Sequence, residues 1–403
     1  MYLTRLTLRS FRNYRELDLD LPPGLSIFSG ANAQGKTNLL EAVYTLALTR
    51  SHRAENERDV VQMAAPDEVA YTRVLGAARR RDGAETRVQI DMALNPVGSA
   101  SGATFQKRIR IDGIPRPATE AIGSIAAVHF SVEDLGLVTG PPAGHRRYLD
   151  ILLSQMDRPY LRALQRYQKV LAQRNSLMRR IREGQAGTDE LPFWDGELCG
   201  LGARIVVERR RAVDALAPLA LEAHARLAPT GESLDLQYRP TVDPQGEEVE
   251  PTAERLAGRL RELRSREVQL GQTLVGPHRD DLAFLVGGVD VGRYGSRGQV
   301  RTVALALRLA EARYLADALG DEPILLLDDV LSELDGARQR EVLGAALAAE
   351  QALMTVVDTT LYPQGAGRVA ASFRVERGTV APLALGNEWA PEDNGGAEAE
   401  DGP

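Results

Sequence analysis

Eight residues near the start of the chain have the types and the spacing of a phosphate-binding loop. Residues 30–37 read Gly-Ala-Asn-Ala-Gln-Gly-Lys-Thr, which is a complete G-x-x-x-x-G-K-[ST] motif. Glycines let such a loop curl so that backbone N–H groups point at phosphate oxygens, and the following helix adds its positive N-terminal end. We expect Lys36 to neutralise the β- and γ-phosphates of a nucleotide and the Thr37 hydroxyl to bind Mg²⁺. The predicted nucleotide-binding residues of this segment are Gly30, Ala31, Asn32, Ala33, Gln34, Gly35, Lys36, Thr37 and Asn38.

Two carboxylates at the end of an apolar run supply a second part of the same chemistry. Residues 323–329 read Pro-Ile-Leu-Leu-Leu-Asp-Asp, and an unbroken apolar run is typical of a buried parallel strand. Ligands bind at the carboxyl ends of such strands. We therefore expect Asp328 to hold Mg²⁺, directly or through water, and Asp329 to orient or deprotonate the attacking water. Together with the phosphate loop, this pair predicts a magnesium-dependent nucleoside triphosphatase.

A turn of small and polar residues upstream of that strand has the features of a second phosphate-binding device. Residues 294–299 read Tyr-Gly-Ser-Arg-Gly-Gln and precede an apolar helical pattern. Because N–H groups at the start of a helix bind anions, Ser296, Gly298 and Gln299 are predicted nucleotide contacts, and Ser296 is also a predicted catalytic residue. An ordinary helix start remains the alternative for this turn. A helix N-cap is likewise the alternative for residues 332–335, Ser-Glu-Leu-Asp.

The elements that position these residues follow from the spacing of apolar side chains. A strand is predicted at 25–28, directly before the phosphate loop, and a helix directly after the loop. Alternating patterns predict further strands, at 2–8, 17–21, 69–77, 86–94 and 107–113. We interpret these strands as a mixed sheet that packs beside a nucleotide-binding core. The predicted fold class is α/β.

The chain changes to a helical pattern from His145 onward. The pattern predicts a helix that Pro159 breaks into a short and a long part, and a second helix at 194–227 with a kink at Pro218. A polar crossover is expected at 229–251, before a third helix at 252–272. We interpret the domains as an ATPase lobe I and an inserted helical lobe II, with bounds of 1–140 and 275–385 for lobe I and 141–274 for lobe II.

The formal net charge of −7 comes mostly from the last residues of the sequence, and the rest of the chain is close to neutral with positive charge that is almost all arginine. Residues 386–403 carry six acidic residues and no basic one, which predicts a disordered acidic tail. The predicted exposed faces of the helical lobe are rich in arginine, Arg174 among them, and clustered arginines bind nucleic-acid phosphates. A solvated helix face with glutamate pairs remains the alternative. The predicted DNA contacts are Arg179, Arg180, Arg182, Arg209, Arg210 and Arg211.

The composition indicates a reducing compartment and no membrane segment. A single cysteine, Cys199, excludes an internal disulfide. Five scattered histidines without a cysteine pair argue against a structural zinc site. No apolar run in the sequence approaches the ~18 residues that a membrane span needs. We therefore expect a cytoplasmic protein with no membrane partner.

The order of these motifs resembles that of the SMC-like ABC ATPases of chromosome maintenance and repair, and within them that of the bacterial RecF family. The resemblance runs from residue 1 to about residue 360. It implies an ABC-type P-loop NTPase head with a mixed sheet and an inserted helical lobe. The segments that carry the narrower resemblance are 8–14, 38–44, 50–53, 130–135, 146–150 and 276–281.

The sequence departs from the wider ABC pattern at several positions. Arg297 stands where transporters have glycine, and the second strand-end acid is Asp329 rather than glutamate. No histidine follows the predicted strand at 354–357, so that residues 358–360, Asp-Thr-Thr, occupy the expected switch region. The nearest candidates for the glutamine-loop position are Ser131 and Glu133. Within the RecF-like group these departures look normal, and they suggest a weak ATPase that acts as a timer rather than a fast motor.

The resemblance also implies cofactors and partners. The cofactors are ATP and Mg²⁺, and two copies would close head to head on ATP as a homodimer. The implied role is in DNA repair, recombination and replication, through binding to duplex DNA and to junctions of single- and double-stranded DNA. RecO and RecR are the implied partners, which together with this chain would load RecA at single-strand gaps.

Two other functions stay open at this point. One is an ABC-type ATPase subunit of another SMC-like or transport assembly, which the long arginine-rich insertion disfavours. The other is an ATPase fused to a nuclease, which the short length of chain after Asp335 disfavours.

Overall fold

The structure, a computed structural model, describes residues 1–54, 56–61, 70–95, 104–228, 231–244, 246–357 and 369–383. The strands are β1 Tyr2–Phe11, β2 Tyr14–Asp20, β3 Gly24–Ser29, β4 Ala70–Arg79, β5 Glu85–Asn95, β6 Thr104–Ile111, β7 Ile114–Pro115, β8 Ala127–Ser131, β9 Leu234–Arg239, β10 Asp281–Val286, β11 Val289–Asp290, β12 Ile324–Asp328, β13 Gln351–Val356, β14 Ala371–Glu376 and β15 Thr379–Pro382. The α-helices are α1 Lys36–Leu48, α2 Ala118–Ala121, α3 Leu135–Thr139, α4 Pro142–Met156, α5 Arg158–Arg182, α6 Leu191–Leu227, α7 Val249–Leu270, α8 Val291–Tyr294, α9 Arg297–Leu319 and α10 Gly336–Ala348.

A mixed sheet with the strand order β15-β14-β3-β13-β12-β8 forms the centre of the fold. Its strands run parallel except β15, which is antiparallel to β14. Both faces of β12 are covered: Ile324 and Leu326 share a core with α1, whereas Leu325 and Leu327 share one with α9. Burial on both faces explains why this segment is an unbroken apolar run. The α/β fold class is confirmed, and the strand predicted at 25–28 is β3.

A second sheet, with the order β2-β1-β4-β5-β6-β7, packs on the side of α1 away from the central sheet. It contains the strands predicted at 2–8, 17–21, 86–94 and 107–113, although residue 69 of the strand predicted at 69–77 lies outside the described residues. The expectation that these strands form a mixed sheet is wrong, because every neighbouring pair is antiparallel. Short reversals, such as the one between β4 and β5, can join only antiparallel neighbours.

Helices α4 to α7 fill the region that is predicted to be helical. The break at Pro159 is confirmed, because the Asp157 side chain caps α5 by accepting a 3.0 Å hydrogen bond from the N–H of Tyr160. Pro159 lies in the first turn of α5, where no intrahelical N–H bond is required. The next helix, α6, continues through Pro218, and the kink predicted at that residue stays a prediction. None of the helices in the described ranges is long and apolar enough to cross a membrane.

One strand lies where a polar crossover is expected. Within residues 229–251, β9 pairs antiparallel with β10 in a three-stranded sheet, so the expectation of a crossover is wrong there. The signal in the sequence is the alternation of Leu234, Leu236 and Tyr238, whose side chains are buried. This sheet joins segments on either side of residue 274, and the bounds of lobes I and II stay a prediction.

Candidate nucleotide-binding site

The phosphate loop lies between β3 and α1 with a backbone that needs glycine at two places. A side chain at Gly30 would place its Cβ 2.3 Å from the carbonyl oxygen of Val375. Gly35 has a φ of 120°, and a Cβ there would lie 2.6 Å from Nδ2 of Asn13. Because ordinary side chains tolerate neither the close approach nor that φ value, these two glycines fix the shape of the loop.

Lys36 is held inside this loop. Its side chain is buried, and Nζ donates hydrogen bonds to the carbonyl oxygens of Gly30 and, at 3.0 Å, Ala31. Burial lowers the pKa of the ammonium group, an effect that the nearby carboxylates of Asp329 and Asp328 oppose. The cation is therefore fixed at the centre of the loop, where phosphates would need it.

The structure brings Thr37 and Asp328 together as the sequence predicts. Thr37 Oγ1 donates a 3.0 Å hydrogen bond to Asp328 Oδ1, and Thr355 Oγ1 on the neighbouring strand donates to the same oxygen at 2.8 Å. Hydroxyl and carboxylate oxygens are the ligands that Mg²⁺ prefers. The donor set at the end of β12 therefore fits a magnesium ion.

Asp329 has an unusual backbone and an unpaired oxygen. Its φ of 52° is in the left-handed region, which aspartate tolerates better than most residues. Its N–H donates to Thr355 Oγ1 at 2.9 Å, whereas its Oδ1 is buried and has no hydrogen-bond partner among the described residues. Burial raises the pKa of the carboxyl group, and the Lys36 ammonium opposes that rise. A buried carboxylate oxygen without a partner is suited to accept a hydrogen bond from a water molecule.

Two turns that the sequence analysis did not assign to the site support the loop. The side chain of Asn13 and the N–H of Gly378 donate to the carbonyl oxygen of Gln34 at 2.8 and 3.0 Å. The N–H of Arg377 donates to Oε1 of Gln34 at 2.8 Å, and the Tyr14 hydroxyl donates to the carbonyl oxygen of Gly35 at 3.0 Å. The residue types in these two turns do not by themselves indicate phosphate binding. Only the resemblance of segment 8–14 to the RecF family points to the turn that contains Asn13 and Tyr14.

Asn38 belongs to the same support. Its Nδ2 donates to Oδ1 of Asn13 at 2.8 Å, and its Oδ1 accepts a hydrogen bond from Arg53 at 3.3 Å.

A cavity of about 440 Å³ opens beside the loop. Its lining includes Arg374 and Arg377, neither of which has a sequence motif that points to the site.

The turn at 294–299 is not part of this cluster. Ser296 is the N-cap of α9: its Oγ accepts from the N–H of Gln299 at 3.2 Å, and Oε1 of Gln299 accepts from the N–H of Ser296 at 3.1 Å. Ser296, Arg297 and Gly298 are exposed. Across the described ranges, no hydrogen bond joins this turn to the phosphate loop or to the strand-end acids of the same chain.

Four further predictions concern other segments of the chain. Ser131 ends β8 directly opposite Asp328 in the sheet, whereas Glu133 is exposed. Asp335 is the N-cap of α10 and accepts from the N–H of Arg338 at 3.0 Å, so the helix-cap interpretation of 332–335 is confirmed. Two predicted segments lie outside the described residues, namely 358–360 and 386–403.

Two of the arginines predicted on exposed faces are buried. Arg209 is 2% exposed and donates to Asp150 at 2.8 Å. Arg174 is fully buried and donates to Asp195 and Glu267, each at 2.7 Å. The prediction that Arg209 contacts DNA is therefore wrong, because a buried guanidinium with a carboxylate partner cannot reach a phosphate outside.

The other predicted contacts keep an accessible surface. Arg179, Arg180 and Arg182 are exposed at the end of α5. Arg211 is exposed, and Arg210 is half-buried with its guanidinium 5.3 Å from the centre of a tyrosine ring. These five residues remain candidates for phosphate contacts.

Known proteins match this chain along nearly its whole length. The family model described as the RecF/RecN/SMC N terminal domain matches residues 2–377. A protein of Herpetosiphon aurantiacus named DNA replication and repair protein RecF is 42% identical over 391 residues, which are 95% of this chain and 100% of that protein. A protein of the same name from Symbiobacterium thermophilum is 41% identical over 386 residues, which are 94% of this chain and 98% of that protein.

Solved structures agree with these matches. A structure described as the recombination mediator protein RecF with ATP in the RecFOR pathway matches with a TM-score of 0.84 and 32% identity, over 95% of this chain and 98% of that one. A structure of an Smc head bound to the C-winged helix domain of ScpA matches with a TM-score of 0.53 and 15% identity, over 96% and 99% of the two chains. That second match shows a shared fold alone. The fold is that of an SMC-like ABC ATPase head, and the chain belongs to the RecF family of DNA replication and repair proteins.

Proposed function

We propose that this chain is an ATP-dependent DNA-binding protein of recombinational repair and replication restart, whose weak Mg²⁺-dependent ATPase acts as a timing switch. The observation that carries the proposal is the convergence of four predicted residues at one edge of the central sheet. Lys36 and Thr37 begin α1, and Asp328 ends β12 with Asp329 directly after it. The side chains of Thr37 and Asp328 are hydrogen-bonded at 3.0 Å. The names of the relatives support the DNA part of the proposal.

Each residue of the site has a distinct task in this proposal. The loop N–H groups and the Lys36 ammonium bind the phosphates of ATP, since the glycines bring the backbone close and burial fixes the cation. Thr37 and Asp328 hold Mg²⁺, which when bound would stabilise negative charge on the phosphates. Asp329 orients the attacking water through its unpaired Oδ1 and accepts a proton from it.

The turn that begins α9 completes the site from a second copy of the chain. Ser296, Gly298 and Gln299 of one copy would contact the ATP held by the other copy, so that ATP drives dimerisation. The exposure of the turn and its lack of a described hydrogen bond to the phosphate loop of its own chain support this arrangement. The N–H groups in the first turn of α9, a helix of 23 residues, suit an anion.

In this proposal the protein binds duplex DNA and junctions of single- and double-stranded DNA. It acts with RecO and RecR as partners, and its compartment is the cytoplasm. The exposed arginines at the end of α5, Arg179, Arg180 and Arg182, support a phosphate-binding surface. A solved relative described within the RecFOR pathway supports the partners.

Binding to gapped, duplex and single-stranded DNA, compared side by side with and without ATP, tests the function. We expect ATP to strengthen binding and gapped DNA to bind best. Lys36→Ala is the control, because without the buried ammonium it should lose most of its ATP affinity and all response to ATP. Equal DNA binding with and without ATP, or no binding to any of the three DNAs, would contradict the proposal.

A further inference from the structure

A cleft of about 980 Å³ opens at the C-terminal end of α1, the end away from the phosphate loop. Its walls come from the end of α1 and residues 49–51, from the short helical turn Glu57–Val60, from β6, and from α4 and α5. We propose that this cleft, called here the α1–α4 cleft, binds a short single-stranded segment of nucleic acid. The inference rests on the proposed DNA-binding function and names a site and a substrate class for it.

The cleft has an excess of positive charge. Five cations line it: Arg50, Arg58, Lys107, Arg146 and Arg147. Arg50, Arg58 and Arg147 are exposed. Among the residues that the structure describes, none of these three arginines has an ion-pair partner. Arg146 donates to the carbonyl oxygen of Asp280 at 2.8 Å rather than to a carboxylate.

The two carboxylates of the cleft do not neutralise these arginines. Glu57 accepts a hydrogen bond from Lys107. Asp150 accepts one from Tyr160 at 2.5 Å and another from the buried Arg209 at 2.8 Å. Because both carboxylates already have cationic partners, the arginines are left to attract an external polyanion.

The remaining lining suits bases rather than phosphates. Phe105, Leu161 and Leu164 supply an aromatic and apolar surface, next to the amide side chains of Gln165 and Gln168. Single strands are recognised by stacking of unpaired bases on aromatic side chains, hydrogen bonds to their edges and cations along the backbone. The volume of the cleft is at the upper end of the roughly 300–1,000 Å³ of small-ligand pockets. A cleft of this size can hold a few nucleotides and is too small for a duplex.

The position of the cleft relates it to the nucleotide site. Helix α1 carries Lys36 and Thr37 in its first turn, whereas Tyr44 and Leu48 near its other end line the cleft. A strand in the cleft and ATP at the loop would therefore lie at opposite ends of one rigid helix. A junction could then place its duplex on the exposed arginines of the helical region and its single strand in the cleft.

DNA binding by the intact protein with ATP tests the proposal. Three probes are compared over a range of salt concentrations: a blunt duplex, the same duplex with an overhang of about six nucleotides, and an oligothymidylate. The variant combines Arg50→Ala, Arg58→Ala and Arg147→Ala, and Arg313→Ala on α9 is the control, since it pairs with Asp317 and does not line the cleft.

We expect the affinity of the triple variant for the duplex with the overhang to be at least about tenfold lower than that of the wild type. The slope of its log affinity against log salt concentration should be smaller by about 2. Its binding to the blunt duplex and all binding by Arg313→Ala should match the wild type. An overhang preference and slope that survive in the triple variant would overturn the cleft and leave the proposed function standing. No binding of any probe by the wild type would overturn both. Binding of a fluorescent acidic peptide by the wild type but not by the triple variant, together with no binding of the oligothymidylate, would show that the cleft docks a protein and would overturn the proposal.

A cross-linking measurement keeps the proposal testable if the triple variant misfolds. The single native cysteine, Cys199, is buried, and burial raises the pKa of its thiol to about 11, so it reacts slowly. Gln165→Cys places a reactive thiol in the cleft, and Arg313→Cys places one on α9. An overhang with an activated disulfide at its end should cross-link to Gln165→Cys and not to Arg313→Cys. Equal yields at the two positions would overturn the proposal.

Discussion

Thr37 Oγ1 lies 3.0 Å from Oδ1 of Asp328, although 291 positions of sequence separate the two residues. The predicted metal ligands therefore lie side by side in the folded chain. Thr37→Val keeps the shape of the side chain and removes the hydroxyl, so we expect a loss of Mg²⁺-dependent ATP affinity of about tenfold or more, the equivalent of one lost ligand. Titration of ATP with and without Mg²⁺ measures the effect. Thr37→Ser, which keeps the hydroxyl, should retain the Mg²⁺ dependence.

Asp329 should matter for hydrolysis and not for binding. Asp329→Asn removes the carboxylate that orients the water and leaves the loop intact, so ATP should bind normally while single-turnover hydrolysis falls by about 10²-fold or more. Unchanged hydrolysis in this variant would show that the assignment of Asp329 is wrong.

The pH dependence of hydrolysis gives a second reading of Asp329. Burial raises the pKa of its carboxyl group, and the ionised form is the one that accepts a proton from water. Hydrolysis should therefore decline, as the pH falls, at a higher pH than an exposed aspartate with a pKa of about 3.9 would give. Single-turnover rates at saturating ATP, measured from neutral pH downward, locate that decline.

Arg209 should stabilise the fold and not bind DNA. It is 2% exposed and bonded to Asp150, and removal of one member of a buried ion pair costs about 3–5 kcal/mol. Arg209→Ala should lower the free energy of unfolding by that amount in urea titrations. Arg211→Ala, at an exposed position with surface ion pairs and a 2.8 Å hydrogen bond to the carbonyl oxygen of Glu247, should change it by only about 0.5 kcal/mol.

Sites shared between two copies can be tested by mixing. Ser296→Arg should bind ATP as a monomer and fail to dimerise or hydrolyse, because its change blocks the turn and spares the phosphate loop. Mixed with Lys36→Ala, it would form dimers that contain one doubly altered and one intact site. We expect partial recovery of ATPase activity. Mixed dimers that form and hydrolyse no ATP would rule out the shared site.

The exposed arginines at the end of α5 should set the salt dependence of duplex binding. Arg179, Arg180 and Arg182 replaced together by alanine should reduce the slope of log affinity against log salt by about 0.9 for each lost phosphate contact. Measurement with a blunt duplex separates this surface from the α1–α4 cleft. An unchanged slope would move the duplex surface to another face of the molecule.

Local spacing made part of the site predictable. Lys36, Thr37, Asp328 and Asp329 are recognised from short motifs, whose backbone shape and position at a strand end depend on a few adjacent residues. The burial of Arg209 was not predictable, because its partner Asp150 lies 59 positions away. The local sequence around an arginine on a polar helix does not show whether the guanidinium pairs with a distant carboxylate or faces water.

The sheets show the same limit. β3 and β12 are apolar runs and can be recognised singly, whereas the antiparallel order of the second sheet depends on pairings between separate segments. The support of the phosphate loop by Asn13 and Gly378 also depends on pairings, since these residues act through hydrogen bonds to Gln34 that only the folded chain creates.

The hydrogen bond from the N–H of Gly378 to Gln34 also has a consequence for biosynthesis. A ribosome makes the phosphate loop more than 300 residues before it makes the turn between β14 and β15. Asp328 is also made late, and β14 pairs with β3 beside the loop. A nascent chain that has not reached residue 378 lacks the hydrogen bond from Gly378 to the loop. A nascent chain that has not reached residue 328 also lacks the metal ligand Asp328. Affinity for nucleotide should therefore arise only after residue 378 has been synthesised, and nascent chains that stop before it should not compete for ATP.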